Sequence, residues 1–208
     1  KMLDSMGGSF SLFVKVYNVI HGALEKAVEL GMIPRNPCKG VAYPKDDRKD
    51  VWALTKEEQQ RLIAALDGEY YRVMLLTYLY TGMRAGECIP LQWKDVDLNK
   101  RTIRVNKKAI LNHDYATHSG KQEIQDFCKT ESSKRTIVIT AGLVAILAEH
   151  KEEMKKRAAA LRLEWSEESL VFWNTRNKIV QYGNLKESLN KIYRKAGIEG
   201  ATMHTLRH

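Results

Sequence analysis

"TGMRAGECIPLQWKDVDL", residues 81–98, follows directly on an apolar run, residues 74–80, and sets Arg84 two positions after Gly82. Glycine tolerates the left-handed backbone that ends helices, so the run reads as a central helix that stops at Gly82. Arg84 then falls on the first residues of a new turn beside that helix, with its stem packed and its guanidinium aimed. A solvated arginine has no need of such a place. Glu87, one turn further on, is spaced to orient it. Trp93, Asp95 and Asp97 read as fixing the turn into a sheet.

Working outward, residues 96–105 read as two short strands joined at Asn99-Lys100, and residues 135–139 alternate like a third. Between the last two lies a polar, basic segment, residues 106–130, that is long for a hairpin connection and is expected to be functional or mobile. Upstream, Thr55 and Glu58 form a capping box ahead of Leu62, Ile63 and Leu66. Downstream, Thr140 is spaced to cap a long helix running through Leu147, Met154 and Leu161. Residues 170–173 suggest a short strand, and residues 185–196 a helix ending at Gly197. The expected fold is mainly α with a small antiparallel β-sheet, an α+β class.

The first part of the chain is different. Leu12, Val16, Val19, Ile20, Ala23, Ala27 and Leu30 form one stripe of a long amphipathic helix that Gly31 and Pro34 stop. The stretch "NPCKGVAYPKDDRKDVW", residues 36–52, carries Pro37, Pro44 and a mixed charge run and reads as a connection between domains. Boundaries follow at 1–44, a linker at 45–52, and 53–208. One helix with its tail cannot bury a core alone, so the chain is expected to begin inside a helical domain.

Composition narrows the partners. With 208 residues and 44% apolar content, the chain can bury one full domain and part of another. No apolar run approaches the roughly 18 residues of a membrane span, and the N-terminus lacks a secretory h-region, so no membrane partner is expected. Cys38, Cys88 and Cys128 form no C-x-x-C pair, which argues against a disulfide framework or cysteine zinc site and for the cytoplasm. The net charge of +9 suggests a polyanion. Residues 99–135 concentrate it, with nine Lys/Arg against four Asp/Glu. Lys107, Lys108, Lys121, Lys134 and Arg135 are the candidate residues there for binding it.

Three motifs carry a family resemblance. T-G-x-R-x-G-E-x-x-x-L-x-W-x-D-V-D resembles the first signature box of the tyrosine recombinases, the phage integrase family. "HTLRH", residues 204–208, resembles the start of the second box. "KTESSKRTIVI", residues 129–139, is similar to the β-hairpin lysine segment of integrases from conjugative transposons and phages. The resemblance implies a tyrosine-recombinase catalytic domain behind a remnant of a helical core-binding domain. It implies site-specific recombination of double-stranded DNA, integrating and excising a mobile element, by a homotetramer assembled on DNA.

The implied chemistry explains the residue types. A protein nucleophile holds the 3′ phosphate as a phosphotyrosine while the 5′ hydroxyl leaves. Arg84 and Arg207 match the family's arginines, whose forks neutralise the non-bridging oxygens, so no metal or cofactor is called for. Lys129 matches the general acid that protonates the leaving oxygen, with Lys134 as its rival. His204 matches the histidine on the scissile phosphate. His208 is expected to support it by hydrogen bonding, and Glu87 to orient Arg84. His204 and His208 also stand at i, i+4, but Thr205 occupies the place where a zincin has glutamate. His113 and His118 read as solvated.

Two departures accompany the resemblance. Family members continue past the second box to a further His or Trp and then to the nucleophilic tyrosine. Tyr78, Tyr80 and Tyr193 do not match that position, so the chain as given is expected to bind DNA without cutting it. Val138 stands where many relatives have proline, which alters only the strand's exit. Two alternative readings are a type IB topoisomerase, which resembles this residue set without pairing two sites, and a non-enzymatic DNA-binding protein.

Overall fold

The helix signals in the sequence are local ones, and the computed structural model, which describes residues 10–41, 53–114, 119–126 and 134–207, forms helices where they fall. Two compact units divide at residue 50. In the first, α1 (Phe10–Glu29) ends at Gly31, whose φ of 71° only glycine adopts without strain. The residues after it are not all linker, as their prolines suggested. Buried Asn36 donates to the His21 carbonyl at 3.1 Å and to Glu25 at 2.6 Å, and accepts from the Cys38 amide at 2.9 Å. Tyr17 donates to the Cys38 carbonyl, so the tail folds back on its own helix. The expected linker at 45–52 lies outside the described residues.

The second unit is mainly α with antiparallel sheets. Thr55 caps α2 (Lys56–Ala65) through a reciprocal box with Glu58. α3 (Arg72–Thr81) buries Met74, Leu75, Leu76, Thr77 and Tyr78 and stops at Gly82 in the left-handed conformation. A short α4 (Ala85–Cys88) follows, then a 3-10 turn at Trp93–Asp95. β1 (Val96–Asp97), β2 (Thr102–Val105) and β5 (Arg135–Val138) make an antiparallel sheet in the order β1-β2-β5. Asp97 accepts the Lys100 amide, and Asp95 takes Arg104 and Asn106, so both carboxylates do fix this turn. Val138 is exposed at the end of the edge strand.

The long segment between β2 and β5 is itself largely strand. β3 (Lys107–Asp114) pairs antiparallel with β4 (Ser119–Asp126) over eight residues each, as a separate two-stranded sheet. Residues 170–173 form no strand; they make isolated bridges, Gln92 with Leu170 and Trp173 with Ile179. α5 (Ala141–Ala160) is capped by Thr140, and α6 (Tyr182–Lys195) starts three residues before its apolar stripe of Leu185, Leu189 and Ile192. These helices, α3, Trp93 and the inner residues Ile103 and Val105 of β2 share one core. No helix among the described residues is long and apolar enough to cross a membrane.

Leu147 of α5 is fully buried in that core. Leu147→Ala removes its transfer energy and leaves a cavity, and is expected to cost about 3 kcal/mol. Urea unfolding reads this as a lower midpoint at unchanged slope, and a loss below about 1 kcal/mol would show that α5 does not pack there.

Candidate active site

One wall of the site begins at the turn after α3. Met83, fully buried, anchors it, and Arg84 is extended (φ −73°, ψ 148°) at the start of α4. Its backbone amide and Nη1 donate to Glu87, at 2.8 and 3.0 Å. The Glu87 side chain is 3% exposed. From β5, Arg135 donates to the same carboxylate end-on, Nη1 to Oε1 at 3.1 Å and Nη2 to Oε2 at 2.7 Å. Burial alone would raise the Glu87 pKa, but the Arg135 hydrogen bonds and the two Arg84 donors outweigh it and hold the carboxyl below its usual range. A lowered folded pKa gives stability that is full above the ordinary glutamate value and lost as pH falls through the folded one.

Arg84 keeps 58% of its side chain exposed. It looks into a cleft of about 490 Å³ that Tyr78, Gly86, Lys108, Tyr182 and His204 also line. The far wall is the segment 202–207. Tyr78 donates to the Met203 carbonyl at 2.6 Å and Tyr193 to the Thr202 carbonyl at 3.1 Å, so two core tyrosines brace it. Burial pushes the Tyr78 hydroxyl up to about 12, which keeps it a donor at neutral pH. Thr205, also buried, accepts the Thr202 amide. The segment ends in a 3-10 turn, Thr205–Arg207, rather than in the helix that the spacing of His204 and Arg207 suggested. Both side chains emerge exposed, and Arg207 lies against Gly82, its Cγ 3.9 Å from where a β-carbon there would stand.

The β3–β4 hairpin closes the cleft from a third side, held at two points. A β-carbon on Gly86 would stand 2.9 Å from the Ala109 carbonyl oxygen, so only glycine lets α4 and β3 meet at this distance. Gln122 of β4 donates to the Val180 carbonyl at 2.8 Å and accepts the Tyr182 amide at 3.0 Å, which ties the hairpin to the start of α6.

The structure thus gathers Arg84, Glu87, Lys108 and His204 in one cleft and sets Arg207 beside it. Arg135, expected at DNA, is instead engaged with Glu87, and Lys107 donates to Gln92. Lys121 lies in β4, and Lys134 directly precedes β5. Lys129, His118 and His208 lie outside the described residues. Among the described residues no three His, Cys, Asp or Glu side chains gather as metal ligands do. Sequence reasoning missed Tyr182, although it extends the α6 stripe by one turn beyond the core. It also missed Gln122, which carries no local signal.

Residues 53–208 match the sequence model of the phage integrase family. A tyrosine recombinase XerC-like protein of Caldanaerobacter subterraneus subsp. tengcongensis is 27% identical over 99% of this chain and 56% of its own length. The integrase of Staphylococcus phage L54a is 31% identical over the whole of this chain and 59% of its own. The chain spans little more than half the length of these relatives. Among solved structures, the Tn1549 transposon integrase in complex with transposon right end DNA is similar in fold, with a TM-score of 0.78 at 19% identity, covering all of this chain and 67% of that one.

The Gly86 contact makes a prediction with its own control. Gly86→Ala forces α4 away from β3 and is expected to cost about 1–3 kcal/mol. Gly142→Ala, in α5 where a β-carbon meets nothing within 4 Å, is expected to be neutral or slightly stabilising. Thermal melts of the two variants side by side check this, and equal melting temperatures would deny the close approach.

Proposed function

Since the chain belongs to the phage integrase family, we propose that it carries the catalytic machinery of a site-specific DNA recombinase that integrates and excises a mobile element. In this reading residues 53–208 are catalytic, and residues 1–44 belong to a helical core-binding domain that contacts the same duplex. The observation that supports it most is Arg84: one nitrogen is held by a buried carboxylate, and the rest of the guanidinium is open to a cleft shared with His204.

In this reading each group has a role. Arg84 and Arg207 take the non-bridging oxygens of the scissile phosphate, stabilising the charge that grows in the phosphorane. His204, exposed at the cleft, hydrogen-bonds the phosphate and assists proton transfer. Lys129, or Lys134 in its place, protonates the 5′ oxygen as it leaves. The nucleophile in this reading is a tyrosine. Lys108 lines the cleft and supplies a further phosphate contact, one of many that give affinity without sequence specificity. A homotetramer would pair two sites, acting on DNA in the cytoplasm.

Cleavage of a nicked suicide substrate by the complete reading frame, run on a denaturing gel, tests the reading. Arg84→Lys keeps the charge and loses the fork, and on the order of 3 kcal/mol of transition-state stabilisation is expected to go with it. Cleavage then falls by roughly two orders of magnitude while duplex affinity, spread over many phosphates, stays within about twofold. A purely structural Arg84–Glu87 pair predicts the reverse, a lower melting temperature with cleavage per folded molecule intact. Relaxation of supercoils without joining of two sites would favour a topoisomerase.

A second expectation concerns the 208-residue chain itself. It binds labelled duplex DNA, and the binding weakens steeply between two salt concentrations through counterion release. Salt-independent binding would count against the phosphate contacts. A covalent adduct mapped to Tyr182 would move the nucleophile into this chain.

A further inference from the structure

Glu87 receives four hydrogen bonds from two arginines, and the two use it differently. Arg135 meets both carboxylate oxygens end-on and is the less exposed of the pair, 37% against 58%. Arg84 gives only its backbone amide and Nη1, and its Nε and Nη2 have no hydrogen bond among the described residues. A guanidinium facing a buried carboxylate alone would pair with it through two nitrogens, since that geometry is the stronger one. Here the second pair of donors comes from another strand. Arg135 also opens β5, where it pairs with Val105, so the contact ties that strand to α4.

We infer that Arg135 is a positioning residue for the phosphate chemistry: by satisfying Glu87 end-on from β5, it leaves Arg84 singly held, with its remaining donors facing the cleft. The inference rests on the recombinase reading above and adds to it a residue that touches no reacting atom. Arg135 acts through Glu87 in two ways. It supplies the charge that keeps a carboxylate with 3% exposure ionised, and it takes the oxygens that would otherwise draw Arg84 inward. Among the described residues, the other titratable groups around Glu87 are Tyr78 of α3, Cys88 of α4 and, across the cleft, Lys108 of β3, Tyr182 of α6 and His204. Burial raises Tyr78 and Cys88, so both stay neutral between pH 6 and about 8.5. Without Arg135, Arg84 is left as the only cation among the described residues hydrogen-bonded to Glu87.

The test uses the complete reading frame that contains this chain, with suicide-substrate cleavage measured between pH 6 and about 8.5 as the ratio of variant to parent, which cancels pH effects common to both. Arg135→Met is expected to lose about tenfold at the alkaline end and about a hundredfold at the acid end, because Glu87 now takes up a proton there and releases Arg84. Duplex affinity stays unchanged. Arg135→Lys recovers most of the rate. In the Glu87→Gln background, Arg135→Met adds no acid-side loss, since the titrating group has gone. A ratio that does not vary with pH, with a loss matching the fall in folded protein, overturns the inference.

A second measurement does not depend on cleavage. In the 208-residue chain, the carboxyl carbon of Glu87 followed by NMR is expected to titrate inside the assayed pH window in Arg135→Met and below it in the parent. An unmoved midpoint overturns the positioning role alone. A parent that cleaves no better than Arg84→Lys overturns the recombinase reading, whatever Glu87 does.

Discussion

A carboxylate taken out of water draws its neighbours into place, because leaving it short of charge or donors costs several kcal/mol. Glu87 is such a group, and the rest of the site is arranged by its needs. The turn after Gly82 brings the Arg84 amide to it, α4 presents it inward, and β5 begins with the arginine that covers it. A turn, the helix that follows it and a strand 48 residues further on are thereby fixed to one pair of oxygens. The Arg84 guanidinium, held by the carboxylate through Nη1 alone, lines the cleft.

The cleft's other walls rest on neutral hydrogen bonds from buried groups to backbone. Tyr78 and Tyr193 reach out of the core to carbonyls of the segment 202–207, and Gln122 spans from the hairpin to the start of α6. The division is consistent. Buried polar groups set the position of backbone, and the side chains that this backbone carries, His204 and Arg207, are left exposed. In the recombinase reading, backbone so held brings these side chains to a phosphate without first having to be ordered, which is where preorganised sites gain their rate.

Much of this was legible in the sequence wherever the signal was local. The Thr55–Glu58 box, the stop at Gly82, the turn at Asn99-Lys100 and the Thr140 cap each depend on residues within one turn of one another, and each formed as read. The resemblance placed Arg84, Glu87 and His204, and the fold brings them to one cleft. What failed was pairing at a distance. The strands β3 and β4 hide their alternation, with Leu111 and Ile124 exposed among polar neighbours, so only the resemblance pointed to a hairpin there and its register comes from the fold. Arg135 sits in a basic run that reads as solvated or DNA-facing until β5 sets it against α4. The tail after α1 looked like linker because prolines mark turns well, while the buried Asn36 that folds it back leaves no pattern.

The register of β2 with β5 has a consequence for how this fold tolerates change. Val105 and Arg135 are direct partners, so the whole β3–β4 excursion leaves and rejoins the three-stranded sheet at one rung. The entropy of closing such a loop grows only with the logarithm of its length, about 0.6 kcal/mol for each doubling. Once the rung is made, lengthening or shortening the excursion costs the core almost nothing. In the recombinase reading, variation in reach over DNA can therefore accumulate there while the residues around Glu87 stay as they are.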